Sequence, residues 1–227
     1  MRKTALLICS AIIIFSFASV AYFYPVLPES MVTHWGMSGE PDGYSGKNMA
    51  FAFPILTLFF FVLLAWVPKL DPLNANIKKF EDVYDDFLLV FSLFMFYISS
   101  LTLIWNLGVE FDMTVAIIPA MSFLFFFIGT MFSSLKRNYT IGARTPWALS
   151  DDRVWEKTNK ASGTIFKAIG ILSLLTLFAP QYFFWVFFGS TMAGVLAIFI
   201  YSYVEYKNIV EDKDNKKGHK KGHKENE

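Results

Sequence analysis

Charged residues are scarce: Asp, Glu, Lys and Arg make up 17% of the 227 residues, where a soluble domain carries about 25%. Cysteine is nearly absent, and the single Cys9 excludes an intramolecular disulfide or a cysteine-rich metal site. Catalytic signatures are missing as well. There is no HExxH helix, no glycine-rich phosphate cradle ahead of a helix and no serine in a nucleophile elbow. These gaps argue against a cytosolic enzyme and a secreted disulfide scaffold, and the 55% hydrophobic content argues against a disordered chain. One further absence is positional. No Asp, Glu, Arg or His lies inside the long apolar runs, where proton relays, ion-coupled carriers and charge-based channels normally need one. No internal repeat is visible, so an inverted-repeat transporter gains no support.

What is present is membrane-like. Aromatic residues reach 19%, with 26 Phe, 10 Tyr and 6 Trp. Crossing a ~30 Å hydrocarbon layer takes about 20 mostly apolar residues in a helix. Six segments meet that need: Thr4–Tyr24, Met49–Val67, Phe87–Leu107, Thr114–Ser133, Gly163–Ala179 and Tyr182–Tyr203. The fifth is the shortest, with Lys167 placed to snorkel from its end. Arg2 and Lys3 ahead of the first run also fit a signal peptide, cleaved after Ser19-Val20-Ala21. The run is too long for that, and it ends in the interfacial rings Tyr22, Phe23 and Tyr24, so a retained span is preferred. The fold expected is an all-α integral membrane protein: a bundle of six transmembrane helices with a short interfacial helix before the fifth.

Basic residues give the orientation. With the N-terminus inside, Lys47 is the one member of the 20 Lys and Arg left outside. Positive charge near span ends stays cytoplasmic, so a multi-pass protein of the plasma membrane with both termini cytoplasmic is expected. Three parts follow: residues 1–67 with spans one and two, residues 68–204 with spans three to six, and a charged tail at 205–227 expected to be disordered. His219 and His223 in that tail are a weak metal signal.

Two loops carry the distinctive chemistry. The outer one reads Thr33-His34-Trp35-Gly36, then Gly39-Glu40-Pro41-Asp42-Gly43-Tyr44. Pro41-Asp42-Gly43 is a tight-turn sequence. His34, Glu40 and Asp42 could bind a metal or an incoming ligand. The simpler reading, a hydrogen-bonded histidine with turn-forming carboxylates, is preferred, because the ligand spacing of a metal site is missing. The inner loop reads Asn138-Tyr139-Thr140-Ile141-Gly142-Ala143-Arg144-Thr145-Pro146-Trp147 and leads to Trp155-Glu156-Lys157-Thr158. Ser150 is a credible N-cap with Asp151 and Asp152 in the first turn, and the apolar Leu149, Val154 and Trp155 suit a helix lying on the interface. Arg144 offers a planar fork for a carboxylate or a lipid phosphate. The plainer reading is a clamp, with Arg144 paired to an acidic neighbour and Trp147 anchored among headgroups. In the spans, Asn106 is expected to join helices, and Ser190 with Gly194 to mark close packing.

Together these loops resemble a known family. The outer stretch is similar to the DUF1648 segment that follows a first span. The inner stretch is similar to the signature of the SdpI immunity-protein family. Departures from the pattern are Val32 where a proline is usual before Thr33-His34, and Asn159 where a basic or histidine residue is usual. The resemblance implies a non-enzymatic protein without cofactor or metal that protects its producer against a secreted antimicrobial peptide, such as the sporulation-delaying toxin. It also implies signalling, by holding a small transcriptional repressor at the membrane, with no direct nucleic-acid binding. Expected partners are therefore the lipid bilayer, a peptide outside and a repressor inside. Candidate binding or signalling residues are His34, Trp35, Glu40, Asp42, Asn138, Tyr139, Gly142, Arg144, Thr145, Pro146, Trp147 and Trp155. A transporter or lipid-handling protein is the alternative.

Overall fold

A computed structural model describes residues 1–224, with side chains described through residue 209. In chain order the elements are α1 (Lys3–Phe23), β1 (Ser30–Trp35), β2 (Pro41–Gly46), α2 (Ala52–Trp66), α3 (Asn74–Ile77), α4 (Glu81–Asn106), α5 (Met113–Phe132), α6 (Pro146–Ser150), α7 (Asp152–Leu175) and α8 (Phe183–Lys224). With flanking 3₁₀ turns, six helices among the described residues are long and apolar enough to cross a membrane. The chain is an all-α membrane protein with six such helices, and the short α6 stands before the fifth. Of the tail expected to be disordered, residues 205–209 continue α8, with Glu205 pairing with Lys157 at 2.7 Å and Ile209 buried; side chains from 210, those of His219 and His223 included, and backbone from 225 lie outside the described residues.

Lipid explains the outside of the bundle. Phe178 is 90% exposed and Trp185 64% exposed, which is favourable only against hydrocarbon or its interface. Inside, α1 and α2 pack on α4, α4 meets α5, α5 lies along α7, and α7 lies along α8. With no solvent driving apolar faces together, close helix contact in a bilayer rests on small residues and packing. The α5–α7 pair shows this most clearly. A Cβ added to Gly129 would stand 2.6 Å from the Gly163 carbonyl, and one added to Gly170 would stand 2.6 Å from the Ser122 carbonyl. The backbones therefore touch at two levels. This seam was not read from the sequence, whose expected pair lies elsewhere: Gly194 does face α7, against Ile165, but Ser190 only bonds back to Phe187 O.

Three local expectations are corrected. The outer loop is a two-stranded antiparallel ribbon, and Pro41-Asp42-Gly43 forms its second strand rather than a turn. The reversal falls earlier: Gly39 N–H donates to Gly36 O at 2.9 Å, Gly36 N–H donates to Glu40 O at 2.8 Å, and Gly39 holds φ +81°. Glycine takes that φ without steric cost, so it outcompetes the proline signal. Ser150 is not an N-cap. It ends α6 and donates its hydroxyl to Trp147 O, while Asp151 caps α7 by accepting from Arg153 N–H at 2.9 Å. The α7 helix then runs unbroken into the fifth span, with Val154 and Trp155 buried in the bundle rather than lying on an interface.

Candidate functional site

At the end of the bundle carrying the chain's start, the inner loop is fastened from within. Asn138 is fully buried. Its Oδ1 accepts from Thr140 N–H (2.9 Å) and Ile141 N–H (2.6 Å), and its Nδ2 donates to Lys136 O (2.8 Å) and Ile141 O (3.0 Å). One side chain thus satisfies four backbone groups that would be costly to bury unpaired. Trp155 donates Nε1–H to Leu135 O at 3.0 Å. Asn159, one helical turn along α7, donates to Trp155 O at 3.1 Å and accepts from Ala143 N–H at 2.9 Å. Gly142 holds φ +111°, and a Cβ there would stand 2.7 Å from Asn159 Oδ1. Both the backbone angle and the space demand glycine.

The same loop is held from its far side by residues that the sequence did not single out. Asp71, 5% exposed, accepts from Tyr139 N–H (2.8 Å), Thr140 Oγ1–H (2.6 Å) and Leu73 N–H (2.7 Å). Asn76 donates to Arg137 O at 2.9 Å. Arg137 in turn donates to Leu149 O and pairs with Asp152 at 2.7 Å. The available signal was Asp71-Pro72, a turn-initiating pair, since Asp71 Oδ1 closes an Asx turn on Leu73. At the chain's start Met1 N–H₃⁺ meets Glu81, and Arg2 meets Asp82, Asp85 and Asp86. The hydrogen bond it donates to Asp86, before all else, holds the Arg2 guanidinium above its usual pKa, against an opposite pull from burial.

Thr145, Pro146 and Trp147 start α6 against α8. Thr145 caps the helix by accepting from Ala148 N–H at 3.1 Å and also bonds Ser202. Pro146 fills the first helical position, where its missing N–H costs nothing. The Trp147 ring meets Tyr203 at 5.2 Å and Phe199 at 5.9 Å between centroids. Arg144 departs from the clamp reading. It lies exposed, donates to Tyr139 O at 2.7 Å and makes no ion pair among the described residues. Beside it is a cavity of about 510 Å³ walled by Phe132, Phe166, Val195, Ile198 and Phe199.

At the opposite end the ribbon is docked by a single polar clip. Asn106, buried at the end of α4, accepts from Val32 N–H at 2.8 Å and donates to Val32 O at 2.9 Å. The expected joining role thus falls on the ribbon rather than on a second span. Trp35 stacks edge-on with Trp105 at 5.8 Å. His34 and Asp42 bond across the strands through Nδ1 and Oδ1, both exposed. They line a cavity of about 440 Å³ with Trp35, Met37, Met113 and Phe183. Glu40 is exposed and takes part only through its carbonyl. Among the described residues, no group of three or more His, Cys, Asp or Glu could hold a metal ion.

The candidates therefore fall into two groups at opposite ends: His34, Trp35 and Asp42 on the ribbon, and Asn138 through Trp155 at the loop. Comparison with known proteins matches a segment around each group. Residues 11–58 match the domain of unknown function DUF1648, and residues 134–202 match the SdpI/YfhL protein family. The chain carries both segments of the SdpI-family resemblance. It is similar to the immunity protein SdpI of Bacillus subtilis (strain 168), at 24% identity over 201 residues, covering 87% of this chain and 94% of that one. No solved structure matches. The SdpI-family match spans the loop, α6, α7 and α8 to Ser202, so Asn138, Trp155 and Asn159 lie within it, while Asp71 and Asn76 lie outside. The DUF1648 match ends inside α2 and contains the whole ribbon.

Proposed function

We propose that this chain is a non-enzymatic immunity protein of the plasma membrane, protecting its cell against a secreted membrane-active peptide. The observation that carries the reading is the similarity to the Bacillus immunity protein along nearly the whole of both chains, with the two family segments in order. Residues 1–67 form the peptide-facing part, 68–204 the part that transmits, and 205–227 a charged cytoplasmic tail. The ribbon end, with His34, Trp35, Glu40 and Asp42, faces outward and meets the peptide. The loop end faces the cytoplasm with both termini, because Lys47 alone among the basic residues lies on the ribbon side. Recruitment of a small repressor would use Arg144 and Trp147, whose side chains reach the surface of an otherwise fixed loop.

Two measurements test this. In a Cys9-free background, Met37→Cys should react with an impermeant thiol reagent in intact cells, and Lys136→Cys, exposed at the loop end, should not; the reverse pattern overturns the orientation. A sensitive host expressing the chain should survive the sporulation-delaying toxin or another membrane-active peptide of that class. Sensitivity to every member of such a panel, at verified expression, overturns the immunity reading.

A further inference from the structure

We infer that the cavity beside Arg144 is a binding site for a phosphate-bearing anionic lipid of the surrounding bilayer. Three observations carry it. First, Arg144 is a cation without a carboxylate. One NH1 donor is spent on Tyr139 O, and no ion pair neutralises the guanidinium among the described residues. The loop's other arginine, Arg137, is paired with Asp152. A free guanidinium edge at a membrane surface suits a phosphate, which it can bind through two parallel hydrogen bonds.

Second, the cavity is amphiphilic along one direction. Arg144 and the exposed Tyr139 stand at the loop side, and the wall beyond them is mainly apolar, including Phe132, Phe166, Val195, Ile198 and Phe199. Thr145, also on the wall, has its hydroxyl committed to Ser202 and Ala148. A free inorganic anion would leave that apolar wall uncovered, whereas a lipid presents a phosphate and an acyl chain in the same order. Third, the wall is continuous with the lipid-facing surface. Val195 is 46% exposed and Phe199 49% exposed on α8, inside the sixth span. A chain can therefore enter sideways from the bilayer. The volume of about 510 Å³ falls within the usual range for small-molecule sites, about 300–1,000 Å³, and basic pockets between spans are where anionic headgroups bind. The inference does not depend on the immunity reading, since it needs only the loop's place at a membrane surface.

The test uses the full chain purified in a neutral detergent. Added phosphatidylglycerol should raise the thermal midpoint and remain bound in native mass spectra. Phosphatidylcholine and inorganic phosphate should do neither. Arg144→Gln should weaken the apparent phosphatidylglycerol affinity about tenfold or more, as expected for loss of a charge-assisted hydrogen-bond pair. Val195→Trp, which fills the wall and keeps the charge, should abolish the response too. Equal stabilisation by both lipids overturns the site's anion preference, and an equal effect of phosphate alone overturns the lipid. A full response from Arg144→Gln overturns the assignment. If that variant is not monodisperse, the wild-type lipid comparison and Val195→Trp decide the matter. Loss of toxin protection plays no part in this readout, so failure here is separable from failure of the proposed function.

Discussion

The two ends of the molecule solve the same problem by different means. Each must place irregular backbone at a membrane surface, where unpaired N–H and C=O groups are costly. The loop end answers with buried side chains: Asn138, Asp71, Asn159 and Trp155 between them satisfy its backbone groups, and the loop is fixed on every side. The ribbon end answers with backbone pairing between strands. It meets the bundle through Met31, buried with Val20 and Leu103, one asparagine and a pair of tryptophans, and the side chains of His34 and Asp42 stay exposed. The loop end is thus held by polar bonds to buried side chains, while the ribbon's polar groups are met mostly by strand pairing and solvent. Receiving a variable ligand suits the second arrangement; holding a defined surface for lipid or protein suits the first.

The contrast breaks most readily at Asn138. Asn138→Ala strands four backbone groups, each worth about 1–3 kcal/mol if it stays unsatisfied. Some will reach water, so a destabilisation of about 3 kcal/mol or more is expected, seen as a fall of roughly 5 °C or more in the thermal midpoint of the purified protein. A midpoint within a degree of wild type would show that the loop is not held from within.

Asp71 comes next. Asp71→Ala removes three hydrogen bonds to a buried carboxyl group, for an expected loss of about 2 kcal/mol. Asp71→Asn keeps one acceptor oxygen and should recover part of it. Limited proteolysis within residues 136–145 reads the effect locally. Equal cleavage in wild type and Asp71→Ala would mean that Asp71 does not hold the loop.

At the ribbon, Asn106→Leu removes both bonds to Val32, with an expected cost of about 1–2 kcal/mol. The ladder between the strands does not depend on those bonds. Hydrogen exchange should therefore quicken at Val32 and little elsewhere in the ribbon. Collapse of protection throughout residues 30–46 would show that the clip, not the pairing, makes the ribbon.

The six spans were legible because apolar length is a one-dimensional property: twenty residues without charge cannot sit elsewhere at low cost. The distinctive residues of both loops were legible as sequence, but their partners were not. Asp71 and Tyr139 meet across 68 residues of chain, as Asn106 and Val32 do across 74, and nothing local marks either pairing. The ribbon escaped because Gly39 at positive φ decides the reversal while Pro41-Asp42-Gly43 advertises one two residues later. The α5–α7 seam escaped because Gly129, Gly163 and Gly170 look like ordinary glycines until two helices are laid side by side. The clamp reading of Arg144 rests on how often Arg and Trp mark membrane interfaces. The carboxylates nearby are engaged instead by Arg137 and Arg153.

The smallest expected effect on stability sharpens the comparison most. His34 and Asp42 are bonded, yet their side chains are 72% and 53% exposed. An exposed ion pair contributes about 0–1 kcal/mol. Asp42→Asn and His34→Gln should therefore leave the thermal midpoint nearly unchanged, since each variant keeps a hydrogen-bonding group at its position. Function is where the ribbon reading commits itself. If the peptide meets the ribbon cavity, the two variants should lower toxin survival at normal expression while Asn138→Ala lowers expression itself. A stability loss from Asp42→Asn as large as that from Asn138→Ala would abolish the distinction between an end held by buried polar bonds and one whose polar pair is exposed. Full protection by the His34→Gln, Asp42→Asn double variant would leave the ribbon fold intact but remove this pair from the peptide-facing site.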